Sequence, residues 1–112
     1  MSLDLLKQEA TSYETSPQRL REIAAMNDEL ARLVASNSVA DSSLLRKLAL
    51  KARNNKDVEL QRSIVSNPNT PTLWLIELAE LFPEEFFDNP IFFSFFGSDE
   101  SSYTQFIFSK IL

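Results

Sequence analysis

The sequence predicts an all-α fold: a solenoid-like stack of short two-helix repeats closed by caps at both ends. Three observations carry that prediction. First, an eight-residue pattern recurs as Leu30-x-x-x-Val34-Ala35-Ser36-Asn37, as Leu60-x-x-x-Ile64-Val65-Ser66-Asn67 and as Phe82-x-x-x-Phe86-Phe87-Asp88-Asn89. Second, apolar residues return eight, eleven and twelve positions after the first two of these asparagines. Leu45, Leu48 and Ala49 follow Asn37, and Leu75, Leu78 and Ala79 follow Asn67. An earlier copy gives Leu20, Ile23 and Ala24, with Ser12 where the asparagine would stand. Third, the spacing within each run is helical, and Asn, Ser and Pro punctuate the run ends.

Taken in chain order, residues 1–14 form an N-terminal capping helix. Ser2 is a suitable N-cap, Asp4 complements the helix dipole, and Leu3, Leu6, Ala10 and Tyr13 share one face. Residues 15–90 hold three units. The first helix of a unit places its apolar residues at i, i+3 and i+4, the second at i, i+4 and i+5, so each has one face to bury. The asparagine closing each second helix suits a left-handed C-cap that bonds the free carbonyls, and on that reading Asn67→Ala costs about 0.5–2 kcal/mol. Thr70-Pro71 reads as an N-cap followed by proline at the first helical position, and Ser16-Pro17 does the same one residue out of register. Pro68 and Pro90 stop the helices before them. The link between the paired helices is long in the second unit, over residues 50–57, and very short before Phe82 in the third.

Residues 91–112 form a Phe-rich C-terminal cap. Residues 91–96 and 105–112 are two apolar runs joined by a polar turn around Gly97. The aromatic content favours strands and the neighbouring repeats favour helices. A third possibility is that the chain is cut from a longer protein, since it ends on Ile111-Leu112 with no polar cap.

Composition removes most chemistry. The 112 residues are 44% hydrophobic and 24% charged, ordinary values for one globular domain or a few stacked units. With no Cys and no His there are no disulfides, thiolate nucleophiles, Cys/His zinc sites, iron–sulfur ligands or imidazole proton shuttles. The single glycine, Gly97, excludes phosphate loops and dinucleotide fingerprints. The net charge of −5 disfavours nucleic acid as a partner. Charge is also uneven: residues 61–112 carry two bases against seven acids, and all nine phenylalanines lie between Phe82 and Phe108. The N-terminus is no signal peptide, no run approaches a membrane span, and the expectation is a cytoplasmic protein.

At Asn67-Pro68-Asn69-Thr70-Pro71-Thr72-Leu73-Trp74-Leu75-Ile76-Glu77-Leu78-Ala79 the chain resembles the leucine-rich repeat variant family, bacterial repeats of the form N-P-x-x-P-x-x-x-L-x-x-L-A. The resemblance spans residues 12–90. It implies paired α and 3₁₀ helices stacked as a right-handed solenoid, and repeats that serve as interaction surfaces. The second unit departs from the pattern with Ser38 and Asp41 in place of the prolines, and the first lacks Asn-Pro. A fourth unit begins at Asn89-Pro90 but has Gly97, Glu100 and Ser101 where Leu, Leu and Ala belong. The cysteine-rich cluster-binding segment of some family members has no counterpart here.

Candidate sites are therefore surfaces. Arg46, Lys47, Lys51, Arg53 and Lys56 form the basic cluster, able to contact phosphates or an acidic partner, although a solvated helix face accounts for it more simply. Glu80, Glu84, Glu85 and Asp88 read as solvent-side residues flanking the Phe82/Phe86/Phe87 stripe. Trp74 lies off the main stripe of its helix, as an inter-repeat contact or a binding hot spot. Phe92, Phe93, Phe95 and Phe96 either cap the last repeat or form a surface for a partner or for self-association. No catalytic, cofactor or metal residue is expected. The expected function is a non-catalytic helical-repeat module for protein–protein interaction, partner unspecified. The alternative is nucleic-acid binding through the cluster around residues 46–56.

Overall fold

The computed structural model describes residues 2–90, and every regular element among them is helical. The helices are α1 (Leu3–Thr11), α2 (Pro17–Ala24), α3 (Asp28–Ala35), α4 (Ser42–Asn55), α5 (Val58–Val65), α6 (Thr72–Ala79) and α7 (Pro83–Asp88). The expected C-terminal cap lies outside the described residues.

Five of the seven helices begin on a side-chain cap. Ser2, Ser16, Asn27, Asp41 and Asp57 accept hydrogen bonds from the backbone N–H groups of Leu5, Arg19, Leu30, Leu44 and Leu60. Each such cap contributes about 1 kcal/mol. Asp41, a departure from the proline pattern, is thus a working cap in its own right.

The odd-numbered helices pack one on the next, α1 on α3, α3 on α5 and α5 on α7. Each even-numbered helix lies against the odd-numbered helices on either side of it in the chain. The stripes read from the sequence line this contact. Leu20, Leu45 and Leu75 are fully buried at corresponding positions, as are Val34 and Ile64 in the second helices, with Phe86 in the same register. Burying each such side chain contributes about 1.5–3 kcal/mol. In α1 only Ala10 is buried. Leu6 packs partly on the core, while Leu3 and Tyr13 are exposed.

Five expectations are corrected. The resemblance implies 3₁₀ helices paired with α-helices, whereas all seven helices among the described residues are α-helical, each of six residues or more and so longer than the three or four over which 3₁₀ geometry is comfortable. The expected loop over residues 50–57 is mostly helix. Lys51, Ala52 and Arg53 are good helix formers, and fully buried Ala52 extends the stripe begun at Leu45. That helix ends at Lys56, which takes the left-handed conformation at φ 54°, ψ 40°, while the Asp57 N–H donates back to the Ala52 carbonyl at 2.9 Å. Thr70 is not the N-cap of α6. Pro71 holds that position without a side-chain bond, and the Thr70 hydroxyl donates instead to the Ile64 carbonyl at 2.6 Å. Phe82 precedes α7 rather than joining it, since Pro83 keeps the residue before it out of the helical region.

The fifth correction concerns the asparagines, whose side chains cap not their own helix but the odd-numbered helix of the layer before, α1, α3 and α5 in turn. None of them is left-handed. The Asn37 Nδ2 donates to the carbonyls of Ala10 and Ser12 at 3.0 and 2.9 Å. The Asn67 Nδ2 donates to Ala35 and Asn37, both at 2.9 Å, and the Asn89 Nδ2 to Val65 and Asn67 at 2.8 and 3.1 Å. In the first two, Oδ1 accepts from the N–H two residues on, Val39 and Asn69. The three side chains are 2–3% exposed. They form a buried amide ladder in which the carbonyl of one asparagine receives the side chain of the next. The free carbonyls at a helix end need partners, and here the next unit supplies them.

Candidate functional site

α4 carries every residue of the basic cluster except Lys56, which ends it, and its geometry divides them. Arg46, Leu50 and Arg53 stand at i, i+4 and i+7, on one face. That face forms one wall of a groove of about 750 Å³ whose other wall is the start of α6, with Pro71, Leu73, Trp74 and Glu77. Lys47 and Lys51 point around the helix to a smaller cavity of about 240 Å³ shared with α2, where Arg21, Ala24 and Ala25 line the far side. Lys51 is held there by Asp28 at 3.0 Å. The five basic residues therefore do not converge on one ligand.

Trp74, by contrast, meets half of the cluster. Its ring is half-buried against the core, and the Arg53 guanidinium carbon lies 5.1 Å from the ring centroid. The stacking contributes about 0.5–1 kcal/mol at such an exposed position. Trp74 is thus both the inter-unit contact and the aromatic wall of the groove. Leu73 beside it is 79% exposed, and Leu50 faces it from α4.

The electrostatics single out the same place. Arg19 bonds Glu9 and Glu22, Arg21 bonds Asp41, Arg32 bonds Asp57, and Arg62 bonds Glu59 and Glu85, all at 2.8–3.3 Å. Arg53 approaches Glu77 only at 4.0 Å, and Arg46 has no ion pair among the described residues. Two arginines with charge to spare flank an apolar, aromatic strip in a chain of net charge −5.

Leu50 and Leu73 were not recognisable as site residues from composition alone, but the repeat register did mark them. The positions corresponding to Leu73 hold Ser43 and Gln18, and those corresponding to Leu50 hold Glu80 and Ala25. A large apolar residue at a register position that is polar or small in the other units is the signal that finds such a surface. Phe92, Phe93, Phe95 and Phe96 lie outside the described residues. Among the described residues no three carboxylates gather where they could hold a metal ion, and no helix is long and apolar enough to cross a membrane. No family model, curated protein or solved structure matches the chain.

Proposed function

We propose that the chain is a non-catalytic helical-repeat module for protein–protein interaction, acting in the cytoplasm. On this reading its units stack as a right-handed solenoid of the leucine-rich repeat variant kind. The observation that carries the proposal is the groove between α4 and α6, where Leu50, Leu73 and Trp74 form an apolar strip with Arg46 and Arg53 beside it. Aromatic and arginine side chains on a rigid framework are what binding hot spots are made of. Helices fixed by capping and by the amide ladder hold those side chains at low entropic cost on binding.

Recovery of partners from native lysate, with and without nuclease, tests the reading. Expected is a nuclease-insensitive protein retained by the wild-type chain and lost with Trp74→Ala. Recovery that vanishes with nuclease would establish nucleic-acid binding instead. Retention unchanged by Trp74→Ala would remove this groove from the function.

A further inference from the structure

Resting on that interaction reading, we infer that the α4–α6 groove selects an acidic peptide segment bearing an apolar side chain between two carboxylates. The argument is one of charge complementarity and spacing. Among the described residues the groove's two arginines are the ones left unpaired or loosely paired, whereas the other four each hold a carboxylate at hydrogen-bond distance. Guanidinium groups with unfilled donors take carboxylates in pairs of parallel hydrogen bonds. Arg46 and Arg53 are seven residues apart on one helix face, a rise of roughly 10 Å. An extended chain alternates its side chains between two faces, so two carboxylates on one face with an apolar side chain midway stand four residues apart and span roughly 13 Å, within reach of two long guanidinium side chains. The strip between them, Leu50 with Leu73 and Trp74, receives the intervening apolar side chain.

A nucleic-acid strand fits the groove less well. It would need cations tracking its backbone. Here Lys47 and Lys51 are on another face, and Glu77 stands in the groove wall, where it would repel successive phosphates. For a peptide, Glu77 acts differently. It is a weak internal competitor for Arg53, reaching it only at 4.0 Å, so a better-placed carboxylate displaces it.

Trp74 is the only tryptophan in the chain, so its fluorescence reports on the groove directly. The purified full chain is titrated with a short peptide carrying two glutamates four positions apart and a leucine midway between them. The comparison peptides are the same sequence with glutamines, and a single-stranded oligonucleotide. Expected is a saturable change in emission with the acidic peptide, weakened about tenfold or more by Arg46→Glu, by Arg53→Glu or by the glutamine replacement. Glu77→Gln is expected to strengthen it, and added salt to weaken it. The substituted side chains are exposed, and circular dichroism confirms that each variant remains helical. If the glutamine peptide binds equally well, acid selectivity is overturned while the interaction reading stands. A response to the oligonucleotide alone overturns both. A Trp74 signal that moves with neither probe overturns the inference, and the lysate experiment with Trp74→Ala then decides the interaction reading separately.

Discussion

Asn67 joins two units through a single primary amide, with its two donors on the Ala35 and Asn37 carbonyls and its oxygen on the Asn69 N–H. Removing it strands buried acceptors on a neighbouring helix as well as losing the local bond. Asn67→Ala is therefore expected to cost about 2–4 kcal/mol, more than an ordinary helix cap. Urea unfolding followed by circular dichroism measures this, and a loss below about 1 kcal/mol would contradict the ladder. Lys56 makes the opposite case. It is the one non-glycine residue among those described with positive φ, and a β-carbon is unfavourable there. Lys56→Gly should raise stability by about 1 kcal/mol in the same assay, and a decrease would show that the lysine side chain contributes something the backbone cost conceals.

At the scale of elements, α5 depends on Asp57, which caps it and bonds Arg32 of α3. Burial pushes the Asp57 carboxyl up, but the Leu60 N–H and the Arg32 guanidinium outweigh it and hold the group below its ordinary value of 3.8. The unfolded chain then binds this proton more readily than the folded one. Stability from this group is present above pH 3.8 and is lost as pH falls through the lower folded value. Asp57→Asn keeps a capping oxygen and removes the charge, so its unfolding midpoint should fall less steeply than the wild type as pH is lowered below 3.8. Equal slopes would exclude Asp57 as a source of acid sensitivity. The element scale is also where the sequence was most readable. Leu45, Leu48 and Ala49 announce α4 because helical burial imposes their spacing. The extension of α4 was hidden because Arg53, Asn54 and Asn55 also suit a polar loop, and only buried Ala52 tells the two apart. The ladder was legible as a recurring asparagine and misread in its direction, since local sequence carries no trace of a partner 22 to 32 residues away. For the same reason the meeting of Arg53 with Trp74 could not be read from the separate patterns that contain them.

For the molecule as a whole, α1 fills the place of a second helix. It packs on α3, and its Ala10 carbonyl, with that of Ser12 just beyond its end, receives Asn37. Deleting residues 1–14 would expose the apolar face of α3 and leave a buried amide without acceptors. The expected result is a loss of about 3 kcal/mol or more, with self-association visible by light scattering as the bared face seeks cover. A truncated chain that unfolds at the wild-type midpoint and stays monomeric would show that α1 is dispensable.

The amide ladder also has a sense of time. In all three rungs the donor lies later in the chain than its acceptors, so each asparagine reaches back to a helix end that precedes it. A ribosome delivers the chain in that same order. Every rung finds its acceptors already synthesised when its donor emerges, so no asparagine of the ladder waits on sequence still to come for its partner. The stack can lock behind the growing end as it is made, one layer at a time.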